Sequence, residues 1–259
     1  MIVQLATATR DGLRTAARSA VDFLTPPSCP VTGDRLQNPV GLGASAWRDI
    51  HFIDAPICDH CGAPFAVDYG PGVLCPSCIA EPPGFDRARA AFVYDDASRS
   101  LVVGFKHYDR TERAALLSHW LARAGLSLLN GATPVMTPIP LHWRKRMFRM
   151  YNQAALLAVG AARRLNVRYE SDWLVRIRAT KQQHSLPSHR ARQENVAGAF
   201  RVRASRLREV RDAHVILVDD VLTTGATLSA AAKTLKKAGA ARVDALVLSR
   251  VVKGGVGAI

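Results

Sequence analysis

A chain of 259 residues, 48% of them hydrophobic, has ample material for one large core or two modest ones and an ordinary globular composition. Its 35 Lys and Arg against 21 Asp and Glu leave a net charge of +14, which points to an anionic partner such as a polyphosphate, a nucleic acid or an acidic surface. The longest uncharged stretch, from Ala124 to Trp143, holds Gly125, Gly131, Pro134, Pro138 and Pro140, which excludes a membrane-spanning helix there.

In the first 24 residues Arg10, Asp11, Arg14, Arg18 and Asp22 interrupt any apolar run, so no secretory signal is expected and a cytoplasmic location follows. Leu5, Leu13, Ala17, Val21 and Leu24 recur at roughly helical spacing, so residues 1–24 are expected to form an amphipathic helix docked on the chain's own body. All five cysteines lie before residue 79. Cys58-Asp-His-Cys61 and Cys75-Pro-Ser-Cys78 are two matched Cys-x-x-Cys knuckles, with Gly62 and Gly72 available for the tight turns they need. In a cytoplasmic chain that spacing reads as a structural, tetrahedral zinc site whose four thiolates leave no open position, ahead of a redox dithiol or an iron–sulfur centre. His60, inside the first knuckle, is then expected at the surface rather than on the metal. Cys29-Pro-Val-Thr32 looks like a knuckle missing its second half, so Cys29 is expected to be a buried or idle thiol. Pro82, Pro83 and Gly84 mark a linker over Glu81 to Phe85. The expected units are thus the helix 1–24, a zinc-ribbon lobe 25–83 and a second domain 84–259.

In that domain, strands are expected over Ala88 to Tyr94, Pro134 to Pro140, Trp173 to Ile177, Phe200 to Val202, His214 to Val218 and Val243 to Val251. Helices are expected over Ser98 to His107, Thr111 to Leu129, Asn152 to Leu165 and Thr227 to Ala238, the last stopped by Gly239. Ala179 to Val196 reads as a long polar loop, the kind that often serves as a lid. Alternating strands and helices imply an α/β fold: a mostly parallel sheet with helices on both faces, preceded by the four-cysteine lobe. Residues 142–211 carry 17 Lys and Arg against Glu170, Asp172, Glu194 and Glu209, which is +13 of the total +14. That concentration is either a solvated basic face or a basic groove.

The most informative stretch is His214-Val-Ile-Leu-Val-Asp219-Asp220-Val-Leu-Thr223-Thr224-Gly225-Ala226-Thr227. A run buried on both faces ends in two carboxylates, and an Ala-rich helix with hydroxyls in its first turn follows. A helix N-terminus with added threonine donors suits a phosphate, and paired carboxylates suit vicinal hydroxyls, so the ligand expected is a sugar phosphate. No Gly-Lys-Ser/Thr and no Gly-x-Gly-x-x-Gly accompanies it, which separates it from nucleotide-triphosphate and dinucleotide loops.

This stretch resembles the phosphoribosyl pyrophosphate (PRPP) signature of type I phosphoribosyltransferases. With the cysteine pairs, Phe105-Lys-His107, Pro138-Ile-Pro-Leu-His142, Arg149-Met-Tyr-Asn152-Gln153, Arg178-Ala-Thr-Lys-Gln-Gln183 and Arg190-Ala-Arg-Gln-Glu-Asn195-Val-Ala-Gly-Ala-Phe200, the chain resembles the ComF family of competence-associated proteins from about Cys29 to Arg250. The resemblance implies a zinc ribbon joined to a type I phosphoribosyltransferase-like domain that binds PRPP with Mg²⁺. It implies Asp219 and Asp220 on the ribose hydroxyls, and Thr223, Thr224, Gly225, Ala226 and Thr227 around the 5′-phosphate. Leu141, His142 and Arg144 fall at the pyrophosphate loop, and Lys181 and Arg190 on a catalytic lid. Two departures stand out. Met150-Tyr151 replaces a Gly-Phe common in the family, and Thr32 stands where many members have a cysteine, which argues against a second zinc. Two functions remain open: phosphoribosyl transfer to an unnamed acceptor, linked to nucleoside metabolism, or non-catalytic binding of single-stranded DNA beside the DNA-uptake machinery, with Trp143, Phe148 and Tyr151 stacking on bases. The oligomeric state is not legible.

Overall fold

The computed structural model describes residues 28–29, 31–36, 41–107, 111–129, 131, 133–141, 152–180 and 189–252. Among them no helix is long and apolar enough to cross a membrane. The elements are α1 (Ala44–Asp49), α2 (Pro76–Ala80), β1 (Ala88–Val93), α3 (Asp96–His107), α4 (Thr111–Leu129), β2 (Val135–Pro138) and α5 (Gln153–Leu165). They continue with β3 (Arg168–Tyr169), β4 (Leu174–Arg176), α6 (His189–Val196), β5 (Phe200–Val202), α7 (Leu207–Val210), β6 (His214–Leu222), α8 (Ala226–Lys237) and β7 (Arg242–Arg250).

Five strands form one sheet in the order β1-β7-β6-β2-β3, with every neighbouring pair parallel. The α/β architecture expected from the alternation of elements is therefore present. Alternation along β6 shows why its sequence is apolar throughout. Val215 and Leu217 pack in a core with Leu228, Ala231, Ala232 and Leu235 of α8, while Ile216 and Val218 pack in a second core with residues of α3, α4 and α5. Leu101, Val102 and Phe105, the expected apolar stripe of α3, are buried in that second core. A separate antiparallel hairpin, β4 with β5, covers the α8 face through Trp173, Leu174, Phe200 and Val202.

One border of the sheet is occupied and the other is short. Along β1, Ile53 N donates to Ala91 O (3.0 Å), Val93 N to His51 O (2.8 Å) and Ala88 N to His60 O (2.6 Å). At the other border β3 is two residues long, and its Arg168 pairs with Glu170 and Glu209.

Three expectations need correction. The polar stretch from Ala179 to Val196 is not a loop throughout, because His189–Val196 forms α6. Arg178 donates to the carbonyls of Asn195 (3.1 Å) and Ala197 (2.5 Å) at its carboxyl end. Only one apolar residue of that helix, Val196, enters the core, so it has almost no hydrophobic periodicity to read. Glu81 to Phe85 is not a free linker: Gly84 N donates to Ser229 Oγ (3.1 Å) and Phe85 is buried in the α8-side core. The basic excess is neither wholly groove nor wholly solvated, because Arg168, Arg203 and Arg206 form a network with Glu170, Asp172 and Glu209. The helix expected over 1–24, the basic loop after Leu141 and residues 181–188 lie outside the described residues.

Candidate active site and metal centre

Asp219 and Asp220 belong to β6 itself and come immediately after the point where its neighbour β2 ends: Pro138 pairs with Val218, and the strand continues to Leu222 against β7. The carboxyl edge of the sheet is therefore stepped, and both acids stand on the step, half-buried. Asp220 N donates to Asp219 Oδ1 at 3.0 Å. Thr223 is exposed, and Gly225 turns the chain into α8 with φ 76° and ψ 2°. That left-handed conformation is open to glycine at little cost, and a Cβ there would also lie 3.5 Å from the Phe85 ring. Ala226 is buried in the first turn, Thr227 is half-buried, and Ser229 N donates to Gly225 O at 2.8 Å to start the helix. A helix N-terminus carries amides without intrahelical acceptors and a positive dipole end, and here it opens directly beside the acid step.

Leu141 is brought to the same end, since Ile139 N donates to Val218 O at 2.8 Å. Asn152 closes this region from the other side. Its Oδ1 accepts from Ala154 N (3.1 Å) to cap α5, while its Nδ2 donates to Ile139 O (3.1 Å). Both ends of the basic segment thus meet at the carboxyl end of β2. His142 and Arg144, expected at the pyrophosphate, and Lys181, expected on the lid, lie outside the described residues, as do Trp143, Phe148 and Tyr151. Arg190 lies on α6, the helix that replaces the expected lid's second half.

Arg176 is the site neighbour that sequence reading did not single out. Its guanidinium lies over the Phe200 ring (5.4 Å) and donates to Thr180 Oγ1. Burial lowers its pKa, and the nearby Asp219 carboxylate opposes that shift. By strand alternation it shares a side with buried Leu174, so a cation on the core side of a strand was the available signal. It also lines a cavity of about 1040 Å³ with Arg201, Arg203 and Lys237, and no carboxylate residue is among the lining residues.

The metal centre is built as the spacing predicts. The sulfurs of Cys58, Cys61, Cys75 and Cys78 all lie within 4.8 Å of one another, and Cys61 Sγ is 3.6 Å from Cys75 Sγ. Tetrahedral zinc with 2.3 Å bonds needs sulfurs about 3.8 Å apart, so the cluster has the right size. All four are buried. Their mutual effect is that of acids crowded together. The hydrogen bond with Cys61, reinforced by burial, pushes the Cys58 thiol up to about 12, while the hydrogen bond from Cys58 draws Cys61 down to about 6 against burial, helped by Arg250. Burial and the neighbouring sulfurs push Cys78 up as well. Four thiolates can stand here together only around a dication, which is how a structural zinc uses such a set. His60 is not a ligand and not a surface residue. It is half-buried and bonded through Nε2 to Phe85 O at 2.7 Å.

A phosphoribosyl transferase domain model matches residues 152–254, and a double zinc ribbon model matches residues 20–81. The chain is 33% identical over 201 residues to the DNA utilization protein YhgH of Salmonella typhimurium, covering 76% of this chain and 85% of that one. It is 32% identical over 206 residues to the protein of the same name in Escherichia coli K12, covering 77% and 86%. Competence protein F of Haemophilus influenzae is 30% identical over 200 residues, covering 75% and 85%. The chain belongs to the ComF family.

The phosphoribosyl transferase match in this ComF chain starts at the α5 cap and takes in β6, the acid step and α8. The double-ribbon match leaves room for two metal sites, yet five cysteines fill only one four-cysteine shell. Cys29 is buried 2% exposed, away from the cluster, in a turn closed by Thr32 and Asp34.

Proposed function

We propose that the acid step and the α8 N-terminus bind PRPP with Mg²⁺, and that this ComF protein transfers the phosphoribosyl group to an acceptor nucleophile in the cytoplasm. The observation that carries the reading is the contiguity of Asp219 and Asp220 with the Gly225-capped helix at the stepped carboxyl edge of a parallel sheet. The amides of α8, with Thr223, Thr224 and Thr227, hold the 5′-phosphate. Asp219 and Asp220 accept hydrogen bonds from the ribose hydroxyls. Leu141, His142 and Arg144 face the departing pyrophosphate, and Lys181 and Arg190 close over the reactive centre. Asp219 and Asp220 would hold Mg²⁺ beside the bound PRPP, and the ion would supply positive charge toward the leaving pyrophosphate. The acceptor's lone pair forms the new bond to the anomeric carbon as the bond to pyrophosphate breaks, the bonding pair leaves with pyrophosphate, and the acceptor's proton passes to solvent. Two carboxylates beneath the ribose stabilise the electron-poor ring in between.

Thermal stability with PRPP and Mg²⁺ titrated in tests the binding. Ligand at a hundred times its Kd adds about 2.7 kcal/mol to the folded state. The paired variant Asp219→Asn/Asp220→Asn is expected to lose most of that shift, and a shift equal in both proteins would refute the assignment. Release of pyrophosphate on adding candidate bases and amines then tests transfer.

A second reading rests on the cavity lined by Arg176, Arg201, Arg203 and Lys237 and on the names of the relatives: this protein handles single-stranded DNA along a basic groove near the hairpin. Oligonucleotide affinity that falls steeply with salt, and falls further in Arg201→Glu/Lys237→Glu, supports it. Affinity unchanged in that variant sinks it.

A further inference from the structure

The first zinc knuckle touches the protein body beside the phosphate loop. His60 is bonded to the segment that precedes β1 and to the first residue of β1: its Nε2 contacts Phe85 O at 2.7 Å, and its own carbonyl accepts from Ala88 N at 2.6 Å. A carbonyl only accepts, so Nε2 carries the proton in that bond. The Phe85 ring, fixed edge-on against the His60 ring with centroids 5.8 Å apart, reaches the residue that caps α8, since a Cβ on Gly225 would meet it at 3.5 Å. Gly84 lies on the same helix so closely that a Cβ would be 2.7 Å from Ser229 O. From the other flank, Arg250 donates to Cys61 O, and the next residue, Val251 N, donates to Leu222 O at 2.9 Å, one residue before Thr223. The knuckle therefore braces the loop from both sides.

We propose that His60 and Phe85 are positioning residues for the phosphate loop, so that the metal-closed knuckle sets the geometry with which α8 meets the 5′-phosphate. The proposal rests on the reading of residues 219–227 as the PRPP site. Metal bound to Cys58 and Cys61 holds His60 in the turn between them, His60 holds the Phe85 carbonyl, and the Phe85 ring forms the wall against which Gly225 adopts its left-handed turn. Neither residue touches PRPP.

The full-length protein tests this with three readouts on His60→Ala and His60→Gln: zinc content, PRPP–Mg²⁺ affinity, and amide hydrogen exchange over residues 222–228. His60→Ala is expected to keep its zinc, to bind PRPP about tenfold more weakly, the worth of one hydrogen bond, and to exchange faster at 222–228 with α4 and α5 unchanged. His60→Gln, which still presents an N–H to the Phe85 carbonyl, is expected to recover part of the affinity. Unchanged affinity and exchange in a zinc-loaded His60→Ala overturns the proposal. Where His60→Ala loses zinc, Phe85→Leu, distant in sequence from the cysteines, carries the same test. If the unmodified protein binds no PRPP, the site reading fails by itself, and exchange at 222–228 still decides the brace: faster in the variant supports it, equal overturns it.

Discussion

Two turns in the N-terminal lobe share one backbone design and are closed by different chemistry. In Cys29-Pro-Val-Thr32-Gly33, Gly33 N donates to Cys29 O at 2.9 Å and Cys29 N donates to Asp34 O at 2.7 Å. In Cys58-Asp-His-Cys61-Gly62, Gly62 N donates to Cys58 O at 2.9 Å and Cys58 N donates to Ala63 O at 2.7 Å. Both glycines are left-handed, at φ 80° and 67°. The first turn is locked by Thr32 Oγ1 donating to Asp34 Oδ2 at 2.6 Å, the second by sulfur ligands shared with Cys75 and Cys78. The turn itself thus needs no metal. What four cysteines add is the joining of two turns distant in sequence, and only the second turn is joined in that way.

Removing the join has the largest expected effect. Cys75→Ser should abolish zinc binding and unfold the lobe, since structural zinc sites contribute on the order of 10 kcal/mol, whereas Cys29→Ala should cost about 1 kcal/mol and leave one zinc per chain. Metal analysis with thermal melting reads both, and zinc lost from Cys29→Ala would break the comparison. Next come the glycines. Gly62→Ala would place a Cβ 2.5 Å from Ala88 O in addition to its left-handed strain, while Gly33→Ala meets nothing within 4 Å. The second change should cost about 1 kcal/mol in a denaturant melt and the first clearly more. Thr32→Val, which removes the hydroxyl lock alone, should cost about 1 kcal/mol or less at unchanged zinc content.

The smallest effect concerns the segment that carries the metal-closed turn onto the body. Burial would raise the Asp86 carboxyl, but hydrogen bonds from Lys236 and Val243 N and the Lys236 charge bring it below its ordinary 3.8. A carboxyl lowered in the folded state stabilises above that ordinary value and loses its contribution as pH falls through the folded one. The advantage of the native protein over Asp86→Asn should therefore be about 1 kcal/mol or less near neutrality, because the pair is partly exposed, and should vanish on acidification below pH 3.8. An advantage that persists in acid would show that the ion pair is not its source.

Much of this was legible because it is local. The apolar run of β6, the acids at its end and the glycine opening α8 are adjacent in sequence, and the two Cys-x-x-Cys pairs carry their own spacing. Thr111–Leu129 forms a helix with the boundaries its pattern implies, and Gly239 follows the Ala238 cap of α8. What stayed hidden is tertiary. Pro82, Pro83 and Gly84 look like a linker until α8 is placed beneath them. His60 has no sequence feature that names Phe85, 25 residues away, as its partner. Arg176 earns notice only when β4 folds within electrostatic reach of Asp219, and α6 lacks periodicity because it rests on the body through one apolar side chain.

A sheet with one covered border and one very short border behaves differently at high protein concentration from one with open edges. An open parallel edge is a template on which a second chain can add a strand, and the sheet of this protein offers none of useful length among its described residues. Residues around His51, Ile53 and His60 use the outer hydrogen bonds of β1, and the opposite border ends in two residues held by an arginine and two glutamates. A sheet so fenced resists edge-to-edge polymerisation, and the fence on the β1 side is the cysteine lobe. A chain stripped of metal would uncover that border, so aggregation should follow chelation even where the α/β half keeps its fold.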